Sequence, residues 1–297
     1  MASYITHAQM ALETYNKLEE AKILNTEIDS KLMTTFSHGI DLSLYNYLTH
    51  NTKNQEFLLN FLRKVKIEKQ MENPSIVSML YGHICHYFLD TAIHPYVYYL
   101  EKGTHSVKGQ FVSCHTLVES YLNAYYVKKR LNESILDLKI TKYFTLAPDE
   151  CKRVLDALYL ETYNLKHGAR NYQKTLLVIL MCEICLKNSP FNNQKLCEFV
   201  VSYRRYLKQN NLTTEEIANE SHKSWQHPIT GKFSNKSALD LYLSSIEKAT
   251  IAIEECNKYL YGNKNLEHLK NYFPNISYDT GIDLEEKQEM KYFRKKG

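Results

Sequence analysis

Histidines and carboxylates recur at helical spacing within Tyr81–Glu119, a stretch that holds five of the twelve histidines of the 297-residue chain. His86 is followed four residues later by Asp90, and Asp90 is followed four residues later by His94. Side chains four residues apart lie on one face of a helix, with Cβ atoms roughly 5–6 Å apart. An imidazole and a carboxylate at this distance can bind one cation together, so the spacing indicates a metal site.

A second pair, His115 and Glu119, repeats this spacing further along the chain. One such pair is a weak signal, because surface pairs are common and a buried histidine is more often a hydrogen-bonded core residue. Two pairs with a third histidine are more specific, since zinc accepts imidazole and carboxylate ligands and a catalytic zinc takes three protein ligands and a water. His94, His115 and Glu119 form such a set. His86 and Asp90 need partners from elsewhere in the chain.

Candidate partners precede this stretch, at His7, Asp41 and His50. With them, the chain resembles the zinc-dependent phospholipase C family, whose fold is shared with zinc-dependent single-strand nucleases of the S1/P1 type. The matching segments are T-H at 6–7, G-I-D at 39–41, the histidine at 50, Y-G-H-I-C-H-Y-F-L-D-T-A-I-H-P at 81–95 and H-T-L-V-E at 115–119. W-Q-H-P at 225–228 and Y-D-T-G-I-D at 278–283 resemble stretches of uncharacterised bacterial members, which extends the likeness along the chain.

The resemblance implies a zinc-dependent phosphodiester hydrolase with two or three zinc ions. It assigns one zinc to Asp41, His50, His86 and Asp90, a second to His94, His115 and Glu119, and a third to His7 and Asp90, with Asp90 as the bridge. Asp41 is the candidate catalytic residue, as general base or water orienter, because the family assigns that role to this carboxylate. Adjacent zinc ions can bind both the attacking and the leaving oxygen of a phosphoryl displacement.

Three features depart from the family pattern. The secreted relatives begin at a tryptophan whose amine and carbonyl bind the third zinc; here, removal of Met1 would instead expose the amine of Ala2. Phospholipases that prefer choline place a tyrosine after the catalytic aspartate, where this chain has Leu42. Tyr45 or Tyr47 could bind a cationic headgroup by cation–π contact, although a core role is favoured for both. The third departure is location, since the relatives act outside the cell.

The expected substrate is a phospholipid or a related headgroup phosphoester, with transient contact to a membrane surface. A single-strand nuclease or nucleotidase is the alternative within the same chemistry, but a single-strand binder needs a basic groove. The net charge of +4 is mild, and Lys128–Arg130 is the one basic cluster close to the site helices in sequence. Nucleic acid is therefore the less favoured partner. A metal-stabilised helical protein without turnover is a third hypothesis, from a different class.

Cysteine usage and the N-terminal composition favour a cytoplasmic protein. The seven cysteines are odd in number and form no regular framework, as in proteins of reducing compartments. Cys182 and Cys185 form a C-x2-C inside an apolar run and are interpreted as core residues. No basic-then-apolar secretion signal is visible. The longest apolar run, Leu176–Met181, is far shorter than the ~20 residues of a membrane span.

Scarce glycine and proline, at nine and six residues, predict an all-α fold of long helices. No linker composition divides the chain, so a single multi-helix domain is expected over 1–297, with the metal ligands in 1–130 and supporting helices and a polar tail in 131–297. The helix from Pro74 is predicted to end near Ile93, because Pro95 disfavours helical conformation at His94. Further helices are predicted over 6–24, 44–48, 55–67, 110–129, 149–166, 172–187, 195–208, 214–221 and 238–260.

The other histidines of the first half are interpreted as structural or exposed. His83 is expected to lie in the core or to support the site, whereas His38 and His105 are expected to be exposed to solvent. The longest irregular stretch, 222–237, contains Trp225 and Pro228. Long loops in compact domains are often functional, so this stretch could act as a lid over the site.

Overall fold

The computed structural model describes residues 4–43, 49–101, 114–134, 138–177 and 213–294, which form an all-α protein with one small β-hairpin. The helices are α1 (Tyr4–Glu20), α2 (Ser30–Phe36), α3 (Asn54–Ile67), α4 (Pro74–Glu101), α5 (Cys114–Tyr126), α6 (Asp149–Tyr163), α7 (Thr214–Ile217), α8 (Ala238–Leu260) and α9 (Leu266–Leu269). Residues 168–177 are also helical. Single turns of 3₁₀- or π-helix lie at Asp41–Ser43, Gln70–Glu72, Val127–Leu131 and Ile140–Lys142. The prediction of an all-α fold is confirmed.

Helix α4 lies at the centre of this fold. Apolar residues occur on all of its faces, and most of its side chains between Ile76 and Val97 are buried. A helix that is apolar all round is expected in the interior rather than at the surface. Helices α2 and α8 pack along α4, and α1 contacts all three of them. The helix therefore carries its polar residues His86, Asp90 and His94 into the protein interior.

The end of α4 differs from the prediction, because the helix continues through Pro95 to Glu101 instead of ending near Ile93. Pro95 lacks the N–H that would bond the carbonyl of Thr91. Gly281 packs directly against this carbonyl, and a Cβ at Gly281 would lie 2.7 Å from the Thr91 oxygen. Tertiary packing on a buried helix thus outweighs the local preference. His94 lies inside the helix, two turns beyond His86.

Other helix bounds follow local signals. Helix α8 has both predicted bounds, because Ser237 and Asp240 form a reciprocal capping box at its start. Helix α1 ends four residues earlier than predicted, shortly before Lys22, which adopts a positive φ of 55°. No helix among the described residues has both the length and the apolar content needed to cross a membrane. The predictions that lie outside the described residues are the helices at 44–48 and 195–208, the end of 172–187, Met1, Ala2, Tyr45, Tyr47, His105, Cys182 and Cys185.

The stretch 222–237 forms a β-hairpin rather than an irregular loop. Strand β1 (Trp225–Gln226) pairs antiparallel with β2 (Phe233–Ser234). The Trp225 ring packs against Tyr96 of α4, with ring centroids 5.1 Å apart. His227 Nε2 lies 2.9 Å from the carbonyl oxygen of Thr280. The hairpin therefore contacts the segment 276–283, which we call the 276–283 loop.

The 276–283 loop folds back against the start of α3. The N–H of Tyr278 donates to the carbonyl of His50 over 3.0 Å. The side-chain amide of Asn54 donates to the carbonyl of Ile276 over 2.8 Å. Ile276 and Asp283 close the loop with an isolated antiparallel bridge. A segment near the end of the chain is thus fixed beside residues of the first half.

Candidate metal centre

All eight side chains that the sequence analysis assigns to metal ions lie in one interior region. Seven of them are buried, and His115 is partly buried. They come from α1 (His7), the turn at Asp41, the residue His50 before α3, helix α4 (His86, Asp90, His94) and helix α5 (His115, Glu119). Charged groups are rarely buried unless they are paired or bind a metal ion. We therefore expect these buried groups to be paired with one another or to bind metal ions.

Asp90 lies at the middle of the group. Its Oδ1 atom is 3.0 Å from Nε2 of His7, and its Oδ2 atom is 3.3 Å from Nε2 of His86. Nε2 of His94, one turn further along α4, is 3.9 Å from Asp90 Oδ1. One carboxylate thus faces three imidazoles of the cluster.

Asp41 reaches the group through a turn that depends on Gly39. Gly39 has a φ of +47°, and a Cβ built there would lie 2.2 Å from Cδ2 of His86. Any side chain at this position would therefore displace the turn from the His86 ring. Beyond the turn, Asp41 Oδ1 lies 2.6 Å from Nε2 of His50. One ligand atom each from His7, Asp41, His86 and Asp90 fit within 4.8 Å of one another.

The predicted three-residue set is also brought together, between α4 and α5. Oε1 of Glu119 lies 3.2 Å from Nε2 of His94 and 3.1 Å from Nε2 of His115. Glu101, at the end of α4, places Oε2 3.3 Å from Nδ1 of His115. The continuation of α4 past Pro95 is what brings Glu101 to this position.

One acidic residue of the site was not anticipated. Asp279 of the 276–283 loop places Oδ1 3.1 Å from Nδ1 of His50 and 3.9 Å from Nδ1 of His94. In the sequence, its motif Y-D-T-G-I-D indicates only a resemblance to other members. Its 229-residue separation from His50 leaves no local spacing that could have revealed the contact.

The grouping of ligands also differs from the one that the resemblance implies. The resemblance places His50 with Asp41, His86 and Asp90. In the structure the four-residue group around Asp90 contains His7 instead, and His50 lies between Asp41 and Asp279.

Several polar atoms in this interior region suit a cation better than a hydrogen-bond partner. Nδ1 of His7, Nδ1 of His86 and Oδ2 of Asp41 are buried without a hydrogen-bond partner among the described residues, and Nε2 of His86 and Oδ2 of Asp90 face each other at 3.3 Å without forming a hydrogen bond. Buried polar atoms nearly always have such a partner. Imidazole nitrogens and carboxylate oxygens are the ligands of catalytic zinc sites. The residues present therefore fit a group of zinc ions.

The electrostatics of these side chains show how strongly the cluster prefers positive charge. Burial lowers the pKa of His50, but the neighbouring carboxylates, above all Asp41, raise that pKa overall to about 10. Burial is likewise outweighed at His94, where Asp90 and other carboxylates raise the pKa to about 9. Burial would raise the pKa of Asp41, yet the surrounding imidazoles hold it well below its ordinary value. Two of the histidines thus hold protons where cations would otherwise offset the carboxylates.

Two further histidines lie near the group without joining it. His83 is buried among phenylalanine rings with Nδ1 2.9 Å from the carbonyl oxygen of Met79, as expected for a core residue. The prediction that His38 is exposed is wrong, since it is fully buried. Its ring nitrogens lie 3.1 Å and 2.9 Å from the carbonyl oxygens of Thr35 and Tyr4, because α1 packs over the end of α2.

The fold and the donor set define the class of protein: an all-α chain whose central helix encloses a cluster of zinc-type ligands. A family model described as zinc dependent phospholipase C matches residues 6–169, more than half of the chain. The chain therefore belongs to the zinc-dependent phospholipase C family, and the resemblance is confirmed. No match was found among the curated proteins or among the solved structures. The matched range includes all eight predicted ligands but not Asp279.

Proposed function

We propose that this protein is a zinc-dependent phosphodiester hydrolase that acts on a phospholipid or a related headgroup phosphoester. Membership of the family supports zinc dependence and a hydrolytic reaction. The observation that carries the proposal is the convergence of eight imidazoles and carboxylates in one interior region, seven of them buried and His115 partly buried. Phosphodiesters are anionic, so a site that gathers cations would both bind the substrate and stabilise the charge of its transition state.

The proposed centre holds two or three zinc ions. Their ligands would be His7, Asp41, His50, His86, Asp90, His94, His115 and Glu119. When bound, zinc ions of this kind lower the pKa of water to about 7 and polarise phosphoryl oxygens. The N-terminal amine, a further ligand in secreted relatives, lies outside the described residues.

Asp41 is the proposed catalytic residue. Its Oδ1 atom is held 2.6 Å from His50, whereas its Oδ2 atom has no hydrogen-bond partner in the described part of the chain. The low pKa of Asp41 keeps the carboxylate ionised at neutral pH, which makes it a good hydrogen-bond acceptor but a weak base. We therefore favour the orientation of an attacking water by Oδ2 over complete removal of its proton.

The surroundings of the basic cluster favour a lipid over a nucleic acid. Nζ of Lys129 lies 2.8 Å from Oε1 of Glu220, and Nη2 of Arg130 lies 2.5 Å from Oε2 of Glu13. These two cations are thus directed at carboxylates of their own chain rather than at a groove. Single-strand nucleases need basic side chains that are available to successive phosphates.

The proposal is tested by counting metal ions and measuring hydrolysis in protein purified without chelators. We expect two or three zinc ions per chain and zinc-dependent hydrolysis of bis-p-nitrophenyl phosphate. A chelator should remove this activity, and added zinc should restore it. Phospholipid vesicles should then be hydrolysed faster than single-stranded DNA. Bound zinc without turnover on any of these substrates would instead support the non-catalytic, metal-stabilised alternative, and preference for DNA would support the nuclease.

We also propose a transient membrane contact through the β-hairpin. Phe233 is 74% exposed and is flanked in sequence by exposed Lys232 and Lys236. Lysines near an anionic lipid surface contribute about 1 kcal/mol each, and an exposed aromatic ring adds apolar contact. The Phe233→Ser variant should bind anionic vesicles several-fold more weakly in a sedimentation assay, with unchanged hydrolysis of bis-p-nitrophenyl phosphate. Ile251→Ser, at another exposed apolar residue, is the control; equal vesicle binding by all three proteins would contradict this contact.

Finally, we propose that residues 1–297 form one domain that works in the cytoplasm. The hairpin packs against α4, and the 276–283 loop packs against α3. Segments from the second half of the chain therefore share one core with helices of the first half. Four cysteines in the described ranges are free, and three of them, Cys85, Cys151 and Cys256, are buried. Free thiols are typical of reducing compartments.

A further inference from the structure

The 276–283 loop contacts the outward-facing nitrogens of two proposed ligands. Nδ1 of His50 lies 3.1 Å from Oδ1 of Asp279, and Nδ1 of His94 lies 3.0 Å from the carbonyl oxygen of Tyr278. Nε2 of each ring faces the opposite way, toward the carboxylates of the cluster. The corresponding distances are 2.6 Å from His50 to Asp41 and 3.2 Å from His94 to Glu119.

These contacts determine where each imidazole carries its proton. A carbonyl oxygen only accepts hydrogen bonds, so Nδ1 of His94 must donate to Tyr278. An ionised carboxylate also only accepts, so Nδ1 of His50 donates to Asp279. Nε2 of each ring also faces a carboxylate, so it is a cation bound at Nε2 that would take the place of the proton there, and the remaining proton would then stay on Nδ1, held by the loop. A separate cation bound at Asp279 through Nδ1 of His94 would have to displace this contact with Tyr278.

The carboxylate of Asp279 is itself held in place. Its Oδ2 atom accepts a hydrogen bond from the side-chain amide of Asn51 at 2.7 Å. Its backbone N–H donates to the hydroxyl of Ser277 at 3.1 Å. Asn51 directly follows His50, and the backbone N–H of Tyr278 donates to the His50 carbonyl. His50 and Asp279 are therefore held together by further hydrogen bonds between residues 50–51 and the 276–283 loop.

The loop is also fixed from outside. The carbonyl of Thr280 contacts Nε2 of His227 in the β-hairpin. Gly281, with a φ of +64°, sits against the Thr91 carbonyl that Pro95 leaves free of its usual helical N–H. A residue with a Cβ would clash at this close approach and would be strained at this φ. The loop thus docks at one defined position on α4, one turn from His94.

We propose that Asp279 is a positioning residue of the metal centre, which holds His50 with Nε2 directed at the zinc ions while the Tyr278 carbonyl does the same for His94. The inference rests on the proposed function, because it assigns the loop a role toward those ions. Partners of this kind orient ligand histidines and raise their basicity, and their loss typically costs 10–100-fold in metal affinity. Asp279 lies beyond residues 6–169, the range that the family model matches.

The test compares zinc affinity, measured by competition with a chromophoric chelator, in wild type and three variants. Asp279→Ala should bind zinc about 10–100-fold more weakly. Asp279→Asn should lose less, because its amide oxygen can still accept from His50. Asp283→Asn, on the same loop but exposed, should match wild type. In zinc-loaded wild type, long-range ¹H–¹⁵N spectra should show His50 and His94 protonated at Nδ1.

The outcomes separate the two proposals. Wild-type zinc affinity in a folded Asp279→Ala protein would overturn the positioning role and leave the proposed function intact. A wild-type protein that binds no zinc would overturn the metal centre and the positioning role together. If Asp279→Ala does not fold by circular dichroism, the wild-type spectrum decides, since a proton on Nε2 of His50 in the zinc-loaded protein would refute the inference.

Discussion

Replacing Asp90 with asparagine should reduce kcat/KM for bis-p-nitrophenyl phosphate by at least about 100-fold and remove at least one zinc ion per chain. Loss of a carboxylate that only supports a metal ligand typically costs 10–100-fold. Asp90 itself faces three proposed ligands, so the effect should exceed that range. Metal analysis and steady-state kinetics measure the two losses, and full zinc content with a wild-type rate would show that the site is assigned wrongly.

The size of this effect follows from the position of Asp90. Asp90 is 1% exposed, and its carboxylate oxygens lie within 3.9 Å of ring nitrogens of His7, His86 and His94. Asparagine keeps one oxygen but replaces the other with an NH₂ donor, which points at an imidazole nitrogen or a cation. Because Asp90 is buried, solvent compensates poorly for the lost charge. In the zinc-free protein we expect a destabilisation of about 3 kcal/mol, as for other broken buried pairs.

His83→Leu is the matched control for this experiment. His83 lies on the same helix, is equally buried and packs between Phe36 and Phe57, with ring centroids 5.9 Å and 5.5 Å away. Leucine suits these apolar surroundings. This variant should keep its zinc and its rate, which would show that position within the cluster, rather than any change on α4, determines the loss.

The parts of this site that could be predicted from the sequence are those that depend on local spacing. His86, Asp90 and His94 share a face because each lies four residues, about one helical turn, after the one before it. His115 and Glu119 repeat this spacing. That the first three face inward also follows from the sequence, since the apolar residues around them require a buried helix.

The remaining parts depend on contacts between distant segments, which spacing does not encode. The addition of His7, Asp41 and His50 to the cluster was inferred from resemblance alone. Asp279 was missed because its partner His50 is 229 residues away. The helix end at Pro95 was predicted wrongly, since a local preference was outweighed by burial and by the docking of the 276–283 loop. The sequence likewise does not reveal the burial of His38, because that burial depends on where α1 packs.

The zinc-free protein should lose stability as the pH rises from about 7 to 10, and zinc should remove the part of this dependence that comes from His50 and His94. In the folded protein without zinc, burial lowers the pKa of His50. The carboxylates of Asp41 and Asp279 have the larger, opposite effect and raise this pKa to about 10. Asp90 and Glu119 similarly raise the pKa of His94 to about 9. Both groups have an ordinary pKa near 6.5 in the unfolded chain.

The sign follows from proton binding. Between pH 6.5 and 9–10 the folded state binds more protons than the unfolded state, so the free energy of unfolding falls as the pH rises. The stabilisation is fully present below pH 6.5 and is lost once His50 and His94 deprotonate. The depressed pKa of Asp41 acts in the opposite direction, but its contribution is lost only in acid, well below this window. Bound zinc replaces the protons, so the loaded protein has no such titration.

Thermal melting of chelator-treated and zinc-loaded protein at pH 6.5, 8 and 9.5 measures this difference. We expect the Tm of the zinc-free protein to fall by about 10 °C across the series, since several kcal/mol correspond to this shift in a chain of this size. The Tm of the zinc-loaded protein should fall by less, because only groups such as the buried thiols of Cys85 and Cys256, whose pKa burial raises, still favour the unfolded state at high pH. His50→Gln, which removes the group with the higher pKa, should show a smaller fall in its zinc-free form. A flat profile for the zinc-free wild type would contradict the charge state assigned to these two histidines, because without their protons the buried carboxylates around Asp90 have no cation to offset them.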